Sequence, residues 1–252
     1  MASNFTDKVA IVTGSSSGIG EAIALAFASR GAKVTLCGRD SQRLDAVCSQ
    51  AVEISGGQRD RFLTFEGDLN DSGVRRRIIE KTVDKFGRLD ILVASAGISD
   101  TQMSILNATE ESYDAVMNTN LKSIFFLIQQ AIPHLEKSKG NIVTISSNVS
   151  SMVLPITAVY SMSKVALDHL TRCLAVELGQ KGIRIELLKE MGKLDANKVP
   201  LKDRVLTAED VAETVVFLSC ETAKFITGET VKIDGGRSLT GPLDISDYVD
   251  LL

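Results

Sequence analysis

Cysteine is scarce in this chain: four residues, Cys37, Cys48, Cys173 and Cys220, scattered without a C-x-x-C pair. That pattern excludes a disulfide frame and a zinc site, and fits reduced thiols acting as small buried hydrophobes in a cytoplasmic protein. Histidine is scarcer still, with only His134 and His169, and no group of histidine, cysteine and carboxylate has metal-ligand spacing, so no catalytic metal is expected. Positive charge is also short: 28 lysines and arginines against 32 acidic residues leave a formal charge of −4. A surface that attracts nucleic acid or anionic lipid needs clustered positive charge, so neither is an expected partner. The run Arg75 to Arg77 is too short to reverse this and reads as a solvated helix face. No apolar stretch approaches the roughly 20 residues that span a bilayer, and the start lacks a charged-then-apolar leader. A soluble protein is expected.

What the chain does have is 44% hydrophobic residues arranged in an alternating order. Short β-branched runs at residues 8–13, 33–37, 62–68, 89–95, 141–147, 183–188 and 230–234 read as strands, apolar enough to be buried on both faces. Helical periodicity fills residues 18–30, 41–55, 72–86, 110–136, 158–180 and 208–220 between them. Strand then helix, repeated, predicts an α/β fold: one domain over residues 1–252, a doubly wound parallel sheet of about seven strands covered by helices on both faces. Ligands of such sheets sit at the carboxyl ends of the strands, so chemistry is sought in the loops that follow them.

The first such loop is "TGSSSGIG", Thr13 to Gly20, directly after a strand and opening a helix. Gly14 permits a tight turn, Gly18 lets backbone approach a pyrophosphate, and Gly20 lets the helix pack near the strand. The helix start then offers free N–H groups and a positive dipole end to phosphates. Far along the chain, "AVYSMSKVALDHL" sets Tyr160 and Lys164 four apart, on one face of a helix. His169 falls about 140° round that helix from Lys164 and is expected to stay out of any site.

Together the glycine turn and the Tyr-x-x-x-Lys pair resemble the short-chain dehydrogenase/reductase family, over roughly residues 6 to 236. The resemblance implies a Rossmann sheet and an oxidoreductase that interconverts a carbonyl and an alcohol by hydride transfer. It implies dinucleotide contacts from Gly14, Ser16, Ser17, Gly18, Ile19 and Gly20, from Asp68 and Leu69 after the third strand, and from Ser95, Ala96 and Gly97 after the fourth, with Tyr160 and Lys164 completing them. It also implies a catalytic set of Asn120 in "NTNLKS", Ser147, Tyr160 and Lys164.

The chemistry of that set can be stated in physical terms. Hydride transfer to a carbonyl needs a proton for the developing alkoxide, and a tyrosine of pKa about 10 is poorly matched to neutral pH. A neighbouring ammonium favours phenolate, so Lys164 together with the oxidised nicotinamide is expected to make Tyr160 unusually acidic, Ser147 to hold the substrate oxygen, and Asn120 to hold a water beside Lys164. Cofactor choice should lie at the end of the second strand, where "LCGRDSQRL" places Arg39 and so points to NADP(H) over NAD(H).

Two departures from the family's pattern stand out. The fourth-strand motif reads "ASAG", and after the sixth strand Pro-Gly and the substrate lid are missing from the span 188–205, where the chain reads "LKEMGKLDANKVPLKDRV". Either the protein lacks a lid, or a segment is skipped near Leu188 and Lys189; the mobility of such lids favours the second. The pattern resumes at "TAEDVA", where Thr207 and Asp210 can cap the next helix. The expected activity is thus an NADP(H)-dependent oxidoreductase of a small carbonyl or alcohol, forming a homo-oligomer, tetramer or dimer. The alternative is a catalytically impaired nucleotide-binding protein of the same fold that lacks the lid.

Overall fold

The computed structural model describes residues 4–99, 105–190, 198–202 and 204–240. Seven strands form its sheet: β1 (Val9–Thr13), β2 (Lys33–Gly38), β3 (Phe62–Glu66), β4 (Ile91–Ala94), β5 (Asn141–Ser147), β6 (Arg184–Glu190) and β7 (Thr230–Ile233). All pair in parallel, in the order β3-β2-β1-β4-β5-β6-β7. The residues of β1, β4 and β5 are buried throughout; β1 and β4 are unbroken apolar and β-branched runs, while β5 also buries Asn141, Ser146 and Ser147.

Among the described residues, seven α-helices flank the sheet: α1 (Gly18–Ser29), α2 (Ser41–Ile54), α3 (Ser72–Phe86), α4 (Glu110–Met117), α5 (Ser123–Ser138), α6 (Ala158–Gly179) and α7 (Ala208–Ser219). On one face Phe27, Leu44 and Val215 join α1, α2 and α7 to the sheet, and on the other Ile78, Leu127 and Leu167 join α3, α5 and α6. The helices α2, α3, α4 and α7 begin where a short polar side chain, Asp40, Asp71, Thr109 or Thr207, takes over an unpaired N–H group. Asp40 accepts from Arg43 N–H at 3.0 Å to start α2, and Thr207 and Asp210 form the expected reciprocal pair at the start of α7. The strand order reverses between β1 and β4, and a crevice opens there at the carboxyl ends.

Three expectations are corrected. The helix expected over 110–136 is two, α4 and α5, joined through a π-helical turn at Asn118–Lys122 in which Ser123 N–H donates to the Asn118 carbonyl five residues back. The arginine run is only partly solvated: Arg76 and Arg77 are exposed, but Arg75 is buried, because it shares a face with Ile78 and Ile79. Its Nη1 donates to the Leu69 carbonyl, and its guanidinium lies 5.7 Å from the Phe126 ring centroid. Of the cysteines, all free, Cys37 and Cys48 are buried as expected, while Cys173 is exposed and Cys220 half-buried.

After the sheet's centre, β6 runs without interruption through Leu188 and Lys189, in register with β5 on one side and β7 on the other. Lys189 is anchored there by Asp168 of α6 at 2.6 Å, both side chains nearly buried, and by Ser151 Oγ at 2.6 Å. Residues 191–197, within the span where a lid was expected, lie outside the described residues.

One carboxylate in β6 has a cost that can be measured. Glu186 is fully buried, accepting from Asn141 Nδ2 at 2.5 Å and Arg184 Nη1 at 2.6 Å. Burial pushes its carboxyl up to about 7 in spite of Arg184 and Asn141, which pull it down. A carboxyl raised from an unfolded value near 4.5 contributes stability that is complete below that value and is lost as pH climbs through 7. Glu186→Gln cannot titrate, so its stability relative to the parent should improve between pH 5 and pH 8 by about 2–3 kcal/mol. Urea midpoints at the two pH values measure this, and equal differences at both would exclude it.

Candidate active site

The crevice, of about 370 Å³, starts at the glycine turn. Gly14 has φ +66°, and a Cβ there would stand 2.9 Å from Ala96 Cα. A Cβ on Gly20 would lie 2.3 Å from the Gly14 carbonyl oxygen, so α1 can start this close to β1 only on bare backbone. Gly18, at φ +60°, faces open space, with nothing within 4 Å of the place a Cβ would fill. Ser17, the residue before α1, makes no capping bond with its side chain. The first turn of α1 thus presents N–H groups to an unobstructed surface, which fits a pyrophosphate.

Thr13 was not singled out in the sequence, yet it holds this turn against the next loop. Its hydroxyl accepts from Ser95 N–H at 3.0 Å and Ala96 N–H at 3.1 Å, and donates to the Val93 carbonyl at 3.2 Å. A β-branched hydroxyl residue at the end of the first strand was the available signal. Ser16, Ser17 and Ile19 line the crevice beside the turn, and Ser95, Ala96 and Gly97 form its wall after β4.

One end of the crevice is bounded by Arg39, Asp68 and Leu69. Arg39 is exposed, whereas neighbouring Asp40 is engaged in capping α2 and pairs with Arg43 at 3.3 Å. Arg75, through its bond to the Leu69 carbonyl, fixes the loop after β3 from behind.

Tyr160, Lys164 and Glu190 bound the other end. Lys164 Nζ is buried, donates to the Ile145 carbonyl at 2.9 Å, and lies 5.5 Å from the Tyr160 ring centroid. The Tyr160 phenol is hydrogen-bonded to the Ser147 side chain. Ser147 ends β5 and Tyr160 opens α6, so strand and helix together set that bond.

Asn120, fully buried in the π-helical turn, is not on the crevice surface; it accepts from Ile98 N–H at 2.8 Å and donates to the Ile98 carbonyl at 2.8 Å and to Ser163 Oγ at 3.1 Å. A Cβ on Gly97 would lie 3.3 Å from Asn120 Oδ1 and 3.6 Å from Lys164 Nζ, so the two groups approach across bare glycine. His169 stays outside the site, beside Arg172 at 3.3 Å on the exposed side of α6.

The electrostatics depart from expectation in one respect. Tyr160 was expected to be unusually acidic, but burial, and then the nearby Glu190 carboxylate, push its phenol up to about 12, and the Ser147 bond opposes this only weakly. Burial also lowers Lys164 to about 8, with Glu190 and Asp168 acting the other way. Burial is the largest influence on both groups. Glu190 was missed because it stands where the family pattern has its Pro-Gly; the rule that chemistry follows strand ends would have found it, since it closes β6.

Residues 14–238 match the family model described as enoyl-(acyl carrier protein) reductase. An uncharacterized oxidoreductase of Thermotoga maritima is 35% identical over 260 residues, covering 93% of this chain and 99% of that protein. From the same organism, a 3-oxoacyl-[acyl-carrier-protein] reductase is 33% identical over 244 residues, covering 91% of this chain and 97% of that protein. A Caenorhabditis elegans short-chain dehydrogenase/reductase, solved with cofactor, superposes with a TM-score of 0.86 at 29% identity, covering 96% of this chain and 98% of that one. The chain belongs to the short-chain dehydrogenase/reductase family.

As a short-chain dehydrogenase/reductase it is an oxidoreductase, of a family that uses nicotinamide cofactors and small-molecule substrates and is generally oligomeric. Among the described residues of this short-chain dehydrogenase/reductase, no helix is long and apolar enough to cross a membrane.

Proposed function

We propose that the protein is an NADP(H)-dependent reductase of a small ketone or aldehyde, working as one catalytic domain. The observation that carries the reading is the Tyr160–Ser147 hydrogen bond beside buried Lys164, at the end of a crevice that begins on a bare glycine turn. A nicotinamide dinucleotide lying along that crevice would supply the hydride.

The chain's own residues do the rest. Gly14, Gly18 and Gly20 bring the start of α1 against the phosphates, and Arg39 offers a guanidinium to a 2′-phosphate while Asp40 is engaged elsewhere. The Ser147 hydroxyl orients the substrate oxygen, and Tyr160, protonated at neutral pH, hands its phenolic proton to that oxygen as it gains charge. Lys164 then stabilises the phenolate left behind. Asn120 supports the loop after β4 through Ile98 and completes the route by which the proton is replaced. A phenol held protonated favours the reductive direction.

The short link after β6 is taken as a property of this protein. Its alignment to the Thermotoga oxidoreductase extends over 260 residues, more than the 252 of this chain, while β6 itself runs unbroken to Glu190. A second reading, a nucleotide-binding protein with impaired chemistry, draws support from Glu190 and the high phenol. The free thiols fit a reducing cytoplasm, and the partner is taken to be a second copy of the chain.

The experiment is NADPH oxidation against a panel of ketones and aldehydes. Arg39→Ala should weaken NADPH by about tenfold or more while leaving NADH nearly untouched, since a guanidinium–phosphate pair is charge-assisted. Equal losses for both would remove the basis for NADP(H), and no turnover with any carbonyl would favour the second reading.

A further inference from the structure

Glu190 has no part in the mechanism above, yet its carboxylate faces the reacting end of the crevice. It is the last residue of β6, in register with Ser147 of β5 and Ile233 of β7, and it lines the crevice together with Tyr160 and Lys164. Its charge acts on both of them. The other charged groups packed around it are matched elsewhere. Lys189 pairs with Asp168 at 2.6 Å, Asp168 also accepts from Ser146 Oγ at 2.6 Å, and Asp234 after β7 accepts from Asn148, Gly236 and Ser238. Among the described residues, Lys164, which donates to the Ile145 carbonyl, and Glu190 are therefore the two charged groups that line this end of the crevice.

Those charges treat the two oxidation states of a nicotinamide ring differently, because the oxidised ring is a cation and the reduced ring is neutral. Lys164 alone repels the cation; a carboxylate at the same end offsets that repulsion, in surroundings dry enough for the charges to matter. We propose that Glu190 sets the balance between oxidised and reduced dinucleotide in this crevice, its carboxylate favouring the cationic nicotinamide. By linkage, tighter holding of the oxidised form makes the bound reduced form the stronger hydride donor. The inference rests on the dinucleotide reading of the crevice and adds a residue that tunes it.

The test is equilibrium binding to the full-length protein at pH 7, by titration calorimetry, of NADP+, NADPH and 2′-phospho-ADP-ribose, with NAD+, NADH and ADP-ribose in parallel. Glu190→Gln should weaken NADP+ relative to NADPH by about tenfold and leave 2′-phospho-ADP-ribose, which has no nicotinamide, unchanged. Glu190→Asp should keep most of the parent's preference. An unchanged NADP+ to NADPH ratio overturns the proposal, as does an equal loss for 2′-phospho-ADP-ribose, and in either case the dinucleotide reading stands. If the parent protein binds none of the six, that reading falls and this inference with it. Should Glu190→Gln fail to fold, Lys164→Met probes the same balance from the other side: NADP+ should tighten relative to NADPH, and no change overturns the proposal.

Discussion

Tyr160→Phe is expected to reduce turnover by about three orders of magnitude while NADPH still binds within about twofold of the parent. Only the hydroxyl is removed, and the ring, carried on α6 with Lys164 Nζ 5.5 Å from its centroid, remains. The magnitude follows from the phenol's surroundings. It is buried and bonded to Ser147, so the proton it would transfer is positioned, and the other polar side chains described at that end are serines, an ammonium and a carboxylate placed differently. Steady-state oxidation of NADPH with the best carbonyl found, paired with a binding titration, separates the two effects. Undiminished turnover would remove Tyr160 from the mechanism, and lost binding would mean that the phenolic hydroxyl also holds the dinucleotide.

Gly20→Ala is the second change with a large expected effect, and it acts on the scaffold. The added carbon would lie 2.3 Å from the Gly14 carbonyl oxygen and 2.7 Å from the Gly14 carbonyl carbon. Both obstacles are backbone, and Gly14 is itself pinned by Ala96 behind it, so relief requires α1 to move off β1. Overpacking of this kind costs about 1–3 kcal/mol, and moving α1 also withdraws its N–H groups from the phosphates. Urea unfolding should show the loss of stability, and NADPH affinity should fall by more than about tenfold. Gly18→Ala supplies the contrast within the same loop, because its neighbourhood is open and the cost there comes from its positive φ. A Gly20→Ala protein with parental stability and affinity would show that the close approach is not needed.

The strands, the glycine turn and the tyrosine–lysine pair were legible because each is encoded in a few neighbouring residues: β-branched runs, a fixed glycine spacing, a step of four. Even the reciprocal cap at Thr207 and Asp210 needed only three residues of context. What was not legible depends on groups distant in sequence. Arg75 reads as one of three solvated arginines until the Leu69 carbonyl and the Phe126 ring are brought to it. The high phenol of Tyr160 reflects how much protein surrounds it and the arrival of Glu190 from a strand thirty residues further on, neither of which spacing within α6 can reveal. The break between α4 and α5 escaped for another reason. Its residues keep an unbroken helical hydrophobic rhythm, and the one extra residue per turn leaves no punctuation in the sequence.

That widened turn at Asn118–Lys122 has a consequence for how α5 is phased. A π turn accommodates one more residue than ordinary helical winding allows, so every side chain after it is rotated by about 100° from where uninterrupted winding would have left it. Asn120 is aimed at Ile98, and Ile124 and Leu127 are aimed at the sheet, by the same local insertion. Aligning the interior stripe of α5 and directing an amide toward the crevice loop are therefore not separable by mutation: shortening the chain there by one residue resets both together.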